Sequence, residues 1–225
     1  KVKESGSNFS VAFSLLSPSK RIAIESLYAF CREVDDVVDE CNDPNLAKIK
    51  LSWWKNELDQ INSNPQHPIL LSLRSTLKNF DLPINDFNKI IEGVYQDIEH
   101  KPFQTWNELD DYCDKVAGAV GRLAAGIFGP TNYKINQYAT LLGQACQYTN
   151  IIRDIGEDLS NNRIYIPNTL LKKYKVEVGF DEVQYSNNFI SMCDEFSQQA
   201  HKKYVDAFSL LPRKDYQNQR PGIVM

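Results

Sequence analysis

The chain has few of the residues that hold soft metals or lock small folds. Its five cysteines (Cys31, Cys41, Cys113, Cys146 and Cys193) lie far apart, include no Cys-x-x-Cys pair and are odd in number. That excludes a disulfide framework and points to a reducing, cytoplasmic setting. His67, His100 and His201 fall at no metal-ligand spacing. No apolar run approaches the roughly 18 residues of a membrane span. The most apolar stretch, VAGAVGRLAAGIFG, is interrupted by Arg122, so at most peripheral contact with an inner membrane is expected. No signal pattern is visible at the start. Basic excess is lacking too: the formal charge is −4, which excludes broad nucleic-acid binding. Alternating strand patterns, repeats and low-complexity segments are nearly or wholly absent. Across 225 residues this leaves one all-α domain.

What is present is a series of helices broken by short loops. Ser17-Pro18 offers a cap and a first-turn proline for a helix that reaches about residue 40. Asp43-Pro44 restarts a helix through LSWWKNELDQI, and NSNPQHP is a loop. HPILLSLRSTLKNF and NDFNKIIEGVYQDIEH are two more helices. TWNE has the spacing of a capping box, Thr105 with Glu108, and opens a long helix through LDDYCDKVAGAVGRLAAGIF. After the turn GPTN a helix is expected over 135–157, then a loop at SNNRIYIPN, and a last helix over 188–211.

Two stretches carry chemistry. In CREVDDVVDE, residues 31–40, a helical turn of about 100° per residue gathers Asp35, Asp36 and Asp39 on one face and Val34, Val37 and Val38 on the other. In QYTNIIRDIGED, residues 147–158, the same arithmetic lines up Gln147, Asn150, Asp154 and Asp158 beside Ile151, Ile152 and Ile155. Each is readable as a solvated acidic stripe. Facing each other, the two would surround one cavity with four or more carboxylates. Oxygen donors without His or Cys select a hard cation, and Mg²⁺ suits carboxylates that share it with phosphate oxygens. The cation would also relieve the repulsion among the acids. Arg32, Arg153 and Arg163 stand beside those acids, either as salt-bridge partners or as phosphate ligands.

The stretch KVAGAVGRLAAGIFG places Ala117, Gly118, Gly121, Ala124, Ala125 and Gly126 in one helix. Two readings are open: close helix–helix packing, or room for a long apolar chain. Phe9, Phe13, Tyr28, Phe30 and Tyr112 are aromatic candidates for the wall of such a cavity.

The segments NFSVAFSLL, YAFCREVDDVVDE, YCDKVAGAVG and TNIIRDIGEDLSNNRIYIP together resemble the squalene and phytoene synthase family, the head-to-head trans-prenyl synthases. LPRKDYQNQRPGIVM is similar as well. Within the family the wording is nearest the bacterial presqualene diphosphate synthases of the hopanoid squalene pathway. The resemblance implies an all-α isoprenoid synthase fold around a central cavity, with further helices after residue 225. It implies condensation of two farnesyl diphosphates to presqualene diphosphate, with Mg²⁺ and without NADPH. Carried over residue by residue, the metal motifs are Asp35, Asp36 and Asp39, and Asn150, Asp154 and Asp158. Arg32, Arg153, Tyr28, Gln147 and Asn8 contact diphosphate; Asn8 stands where close relatives often have Ser. Tyr112 assists proton transfer. The alternatives are a phytoene or dehydrosqualene synthase, the former taking geranylgeranyl diphosphate. A non-catalytic helical assembly subunit or a terpene cyclase fits the motifs less well.

Overall fold

The computed structural model describes residues 16–41, 43–63, 65–161, 163–177 and 186–224. Asn8, Phe9 and Phe13 therefore lie outside the described residues. Among those described, every regular element is helical.

Helix α1, Pro18–Asp39, buries Ala23, Ile24, Leu27, Phe30, Val34 and Val37, a stripe at three-, four- and seven-residue steps that turns its acids outward. Pro18 supplies the first turn, but Ser17 makes no side-chain cap bond, so the cap expected there is absent. α2, Pro44–Asp59, is capped: the Asp43 carboxylate accepts from the Asn45 N–H at 2.9 Å. α3, Pro68–Asn79, and α4, Ile84–Glu99, come next. Phe30 joins α1 to α2 and α4 by edge-on contacts with Trp54 and Phe87, at 5.7 and 5.4 Å between ring centres.

α5, Trp106–Cys113, opens on Thr105, whose hydroxyl accepts from the Glu108 N–H at 3.3 Å. The return bond goes one residue further back than a capping box requires: Glu108 accepts from the Gln104 N–H at 2.7 Å. α5 does not run on as regular α-helix. Asp114–Gly118 forms a π-turn, and α6 resumes over Ala119–Phe128. α7, Lys134–Arg153, packs along α6 on one side and along α10, Asn187–Leu210, on the other. A second aromatic core, Trp106, Tyr148 and Phe196, joins α5, α7 and α10.

Three expectations are corrected. The helix expected over 135–157 breaks at Asp154, and a short α8, Ile155–Ser160, succeeds it. At the break Arg153 Nε and Nη2 donate to the two oxygens of Asp154, at 2.7 and 2.6 Å. Adjacent side chains do not face each other on a regular helix, so the break is what allows this pair. The loop expected at SNNRIYIPN leads directly into a helix not expected from the sequence, α9, Asn168–Tyr174, and the segment after residue 211 forms α11, Tyr216–Val224. α11 secures the end of α6: Gln219 donates to the Ala125 carbonyl at 3.2 Å and Asn218 to the Gly129 carbonyl at 3.1 Å.

The glycines of the small-residue stretch serve packing. A methyl group on Gly121 would collide with the Ala139 carbonyl of α7, and one on Gly143 with the Ala117 carbonyl. The two helices thus approach backbone to backbone at reciprocal glycines. Gly126 faces Leu82, 2.8 Å from where a Cβ would stand. At these positions the alternative reading, space for an apolar chain, is not met.

Candidate functional site

α1 carries its acids toward α4 and α8. Arg32 Nη2 lies 2.8 Å from Asp36 Oδ1, one turn apart, so these two hold each other. Asp39, half exposed, receives Arg163 instead: Nη1 and Nη2 stand 3.1 and 3.2 Å from its Oδ1. Arg163 is set by the turn that ends α8, where its N–H donates to the Asp158 carbonyl at 2.8 Å. Its Nε is buried without a partner among the described residues. Asp39, Asp158, Glu157, His100 and Arg163 line one cleft of about 560 Å³. The two acidic stretches, 119 positions apart from Asp39 to Asp158 in sequence (158 − 39), therefore meet across one opening.

Asp35 is half-buried and lies deeper. Its carboxyl is pushed up to about 7, by burial first and then by Asp39 and Asp97. Asp158 is pushed up to about 6 by burial, then by Asp154, with a smaller push from Asp39. Asp154 moves the other way, below the usual carboxylate range, because Arg153 hydrogen-bonds both of its oxygens. Asn150 Nδ2 is 3.5 Å from Gln147 Oε1 on α7, and Tyr28 is half-buried on α1, two turns before Asp35. Among the described residues no three acid, His or Cys side chains converge closely enough to hold an ion as they stand. The cleft gathers Asp39 from the first acidic stretch and Glu157 and Asp158 from the second. Arg32, Arg153 and Arg163 form ion pairs with Asp36, Asp154 and Asp39. The carboxylates of Asp39, Glu157 and Asp158 in this cleft are donors that fit a hard divalent ion.

Two residues not singled out from the sequence join this site: Asp97, which lies in no motif, and Tyr165, within the segment TNIIRDIGEDLSNNRIYIP. Asp97 of α4 accepts hydrogen bonds from Tyr112 Oη, at 3.0 and 3.1 Å to its two oxygens, and from Tyr165 Oη at 2.9 Å. Phe103 packs on both tyrosines, with ring centres 5.2 and 6.3 Å away. Burial raises Asp97 to about 6, partly offset by the two tyrosine bonds and by Arg163. Burial, then Asp97, holds the Tyr112 phenol well above its ordinary value. Tyr112 thus reaches the acids through Asp97, which faces both Asp35 and Asp39 electrostatically. A signal for Asp97 exists in the sequence. It falls three residues after Val94 and seven after Ile90, on the buried stripe of α4, where an acid is uncommon.

Comparison with known proteins gives a consistent result. Residues 2–225 match the family described as squalene/phytoene synthase. The chain is 32% identical over 212 residues to presqualene diphosphate synthase of Rhodopseudomonas palustris, covering 92% of this chain and 75% of that protein. It is 35% identical over 175 residues to phytoene synthase of Mycobacterium tuberculosis, covering 78% of this chain and 58% of that one. Among solved structures it resembles a dehydrosqualene synthase in complex with ligand (TM-score 0.86, 27% identity, 99% of this chain and 80% of that one). It also resembles a squalene synthase from Alicyclobacillus acidocaldarius (TM-score 0.82, 27% identity, 98% and 85%).

Proposed function

Because the chain belongs to the squalene/phytoene synthase family, with the all-α isoprenoid synthase fold of its structural relatives, we propose that it joins two farnesyl diphosphates head to head, giving presqualene diphosphate. The observation that carries this reading is the single cleft shared by Asp39 of one acidic helix and Asp158 of the other. Asp35, Asp36, Asp39, Asn150, Asp154 and Asp158 would hold Mg²⁺. Bound there, the ion would stabilise the negative charge of the departing diphosphate. Arg32, Arg153, Tyr28 and Gln147 bind diphosphate oxygens, as does Asn8. Breaking the allylic C–O bond releases diphosphate and leaves an allylic cation. The double bond of the second substrate supplies the electron pair for the new C–C bond. Loss of one proton closes the cyclopropane. Tyr112 and Asp97 are the groups suited to take that proton: the phenol donates to a carboxylate that is ionised at neutral pH. None of these steps calls for NADPH. A cytoplasmic setting with peripheral membrane contact is part of this proposal. Among the described residues no helix is long and apolar enough to cross a membrane.

A second reading is supported by the 35% identity to a phytoene synthase and by the likeness to a dehydrosqualene synthase. In it the cyclopropyl diphosphate reacts further to a triene, from farnesyl or geranylgeranyl diphosphate. The deciding experiment incubates the full chain with each diphosphate and Mg²⁺, without NADPH, and identifies the product by mass. Presqualene diphosphate supports the first reading and a triene the second. Consumption of neither by folded protein overturns both. Asp35→Ala and Asp154→Ala should each lower turnover about a hundredfold or more with helical content unchanged.

A further inference from the structure

The π-turn at Asp114–Gly118 interrupts a helix that the sequence would otherwise run straight through. Such a turn admits an extra residue and shifts the register of α5 against that of α6. It is held from two sides. On the first, Arg122 of α6 directs its donors to three elements. Nε and Nη2 bond Asp86 of α4 (3.1, 3.1 and 2.7 Å), and Nη1 bonds Asp114 in the π-turn (2.5 Å) and Thr140 of α7 (2.7 Å). Lys89 adds a bond to the other oxygen of Asp114 at 3.0 Å. Arg122 and Asp86 are 14% and 8% exposed, so this is an interior clamp rather than a surface ion pair.

On the second side, α4 presents Gly93. A Cβ there would lie 2.5 Å from Val116 Cγ1 and 3.0 Å from Lys115 Cβ, both in the π-turn. One helical turn after Gly93 comes Asp97, and two residues before the π-turn comes Tyr112. The Gly93 approach and the Asp97–Tyr112 hydrogen bonds are therefore neighbouring rungs of the same contact between α4 and the α5–π segment. Arg122 lines none of the clefts around the acids.

We propose that Arg122 is a positioning residue: by tying Asp114 to Asp86 it fixes the π-turn, and through the π-turn it seats the Tyr112 hydroxyl on Asp97. The inference rests on the reading of Tyr112 as a participant in proton transfer. Misplacing a reacting group by about 1 Å can lower a rate about a hundredfold. Arg122→Gln should therefore lower kcat about ten- to a hundredfold, with KM for the prenyl diphosphate changed by less than about twofold. Hydrogen–deuterium exchange should accelerate in residues 112–118 and stay unchanged in α10. Gly93→Ala should reproduce both effects with every Arg122 partner intact. A folded Arg122→Gln protein with normal kcat, or one whose exchange rises uniformly through the molecule, overturns the proposal. Should Arg122→Gln not fold, Gly93→Ala and Thr140→Val carry the test, and normal kcat in both overturns it. Tyr112→Phe separates the two levels. If it is fully active, the role given to Tyr112 fails. If it is inactive while Arg122→Gln is normal, only the positioning role fails.

Discussion

Asp39 meets the molecule's charge problem at the smallest scale. It sits between two other acids, Asp35 on its own helix and Asp158 across the cleft, and Arg163 places two nitrogens on one of its oxygens. The guanidinium compensates one carboxylate, where a divalent ion would compensate several. Arg163→Gln should remove that compensation. In EDTA the melting temperature is expected to drop about 2–4 °C, for a loss of about 1 kcal/mol. Millimolar Mg²⁺ should then raise it by more than in the unsubstituted protein, because Asp39 no longer has to release a partner. An equal Mg²⁺ response in the two proteins, read by calorimetry, would count against Arg163 as the competing cation. Arg163 was legible as a basic neighbour of Asp158. That it reaches Asp39 was not, because the pairing spans 124 positions.

At the scale of elements, the amphipathic stripes of α1 and α4 and the Asp43 cap are written in local spacing, and the helices form where that spacing says. The glycines of α6 and α7 are different. Their composition suits both an open cavity and tight packing, and only the partner helix decides. Gly143→Ala should destabilise by about 1–3 kcal/mol, because the new methyl meets the Ala117 carbonyl and neither backbone can move aside. Gly156 in α8 is the contrast: a Cβ there meets nothing within 4 Å. Gly156→Ala should stabilise by about 0.5–1 kcal/mol by lowering the entropy of the unfolded chain. Thermal melts of the two variants should thus move in opposite directions. The break at Asp154 and the π-turn at 114–118 also belong to this scale. Neither has a proline or an interrupted hydrophobic pattern to announce it; each is held by side chains that pair only once the backbone departs from the regular helix.

At the scale of the whole molecule, three carboxyls from three helices are held above the ordinary 3.8, Asp35 at about 7 and Asp97 and Asp158 at about 6. Each binds its proton more tightly folded than unfolded. Between about pH 4 and pH 7 the folded state therefore carries more protons, and these groups make stability fall as pH rises through that window. Metal-free protein should melt at progressively lower temperature from pH 5 to pH 8, as the three acids become charged together. Mg²⁺ with inorganic diphosphate should flatten that slope and restore most of the loss at pH 8. A metal-free melting temperature independent of pH would show that these carboxyls are not held above their ordinary range.

The sequence by itself determined most of the helices, their buried faces, and the acidic stripe of α1, since those depend on residues three to seven positions apart on one rotating backbone; the second stripe spans the break at Asp154. The sequence also carried four motifs specific enough to point to a family. Only the tertiary structure decided which acid faces which. It placed Asp39 against Arg163 and across from Asp158, brought Asp97 under Tyr112 and Tyr165, and set Gly121 and Gly143 against opposing carbonyls. Those pairings join positions 15 to 124 residues apart, and their free energies depend on distance through space, which helical periodicity does not encode.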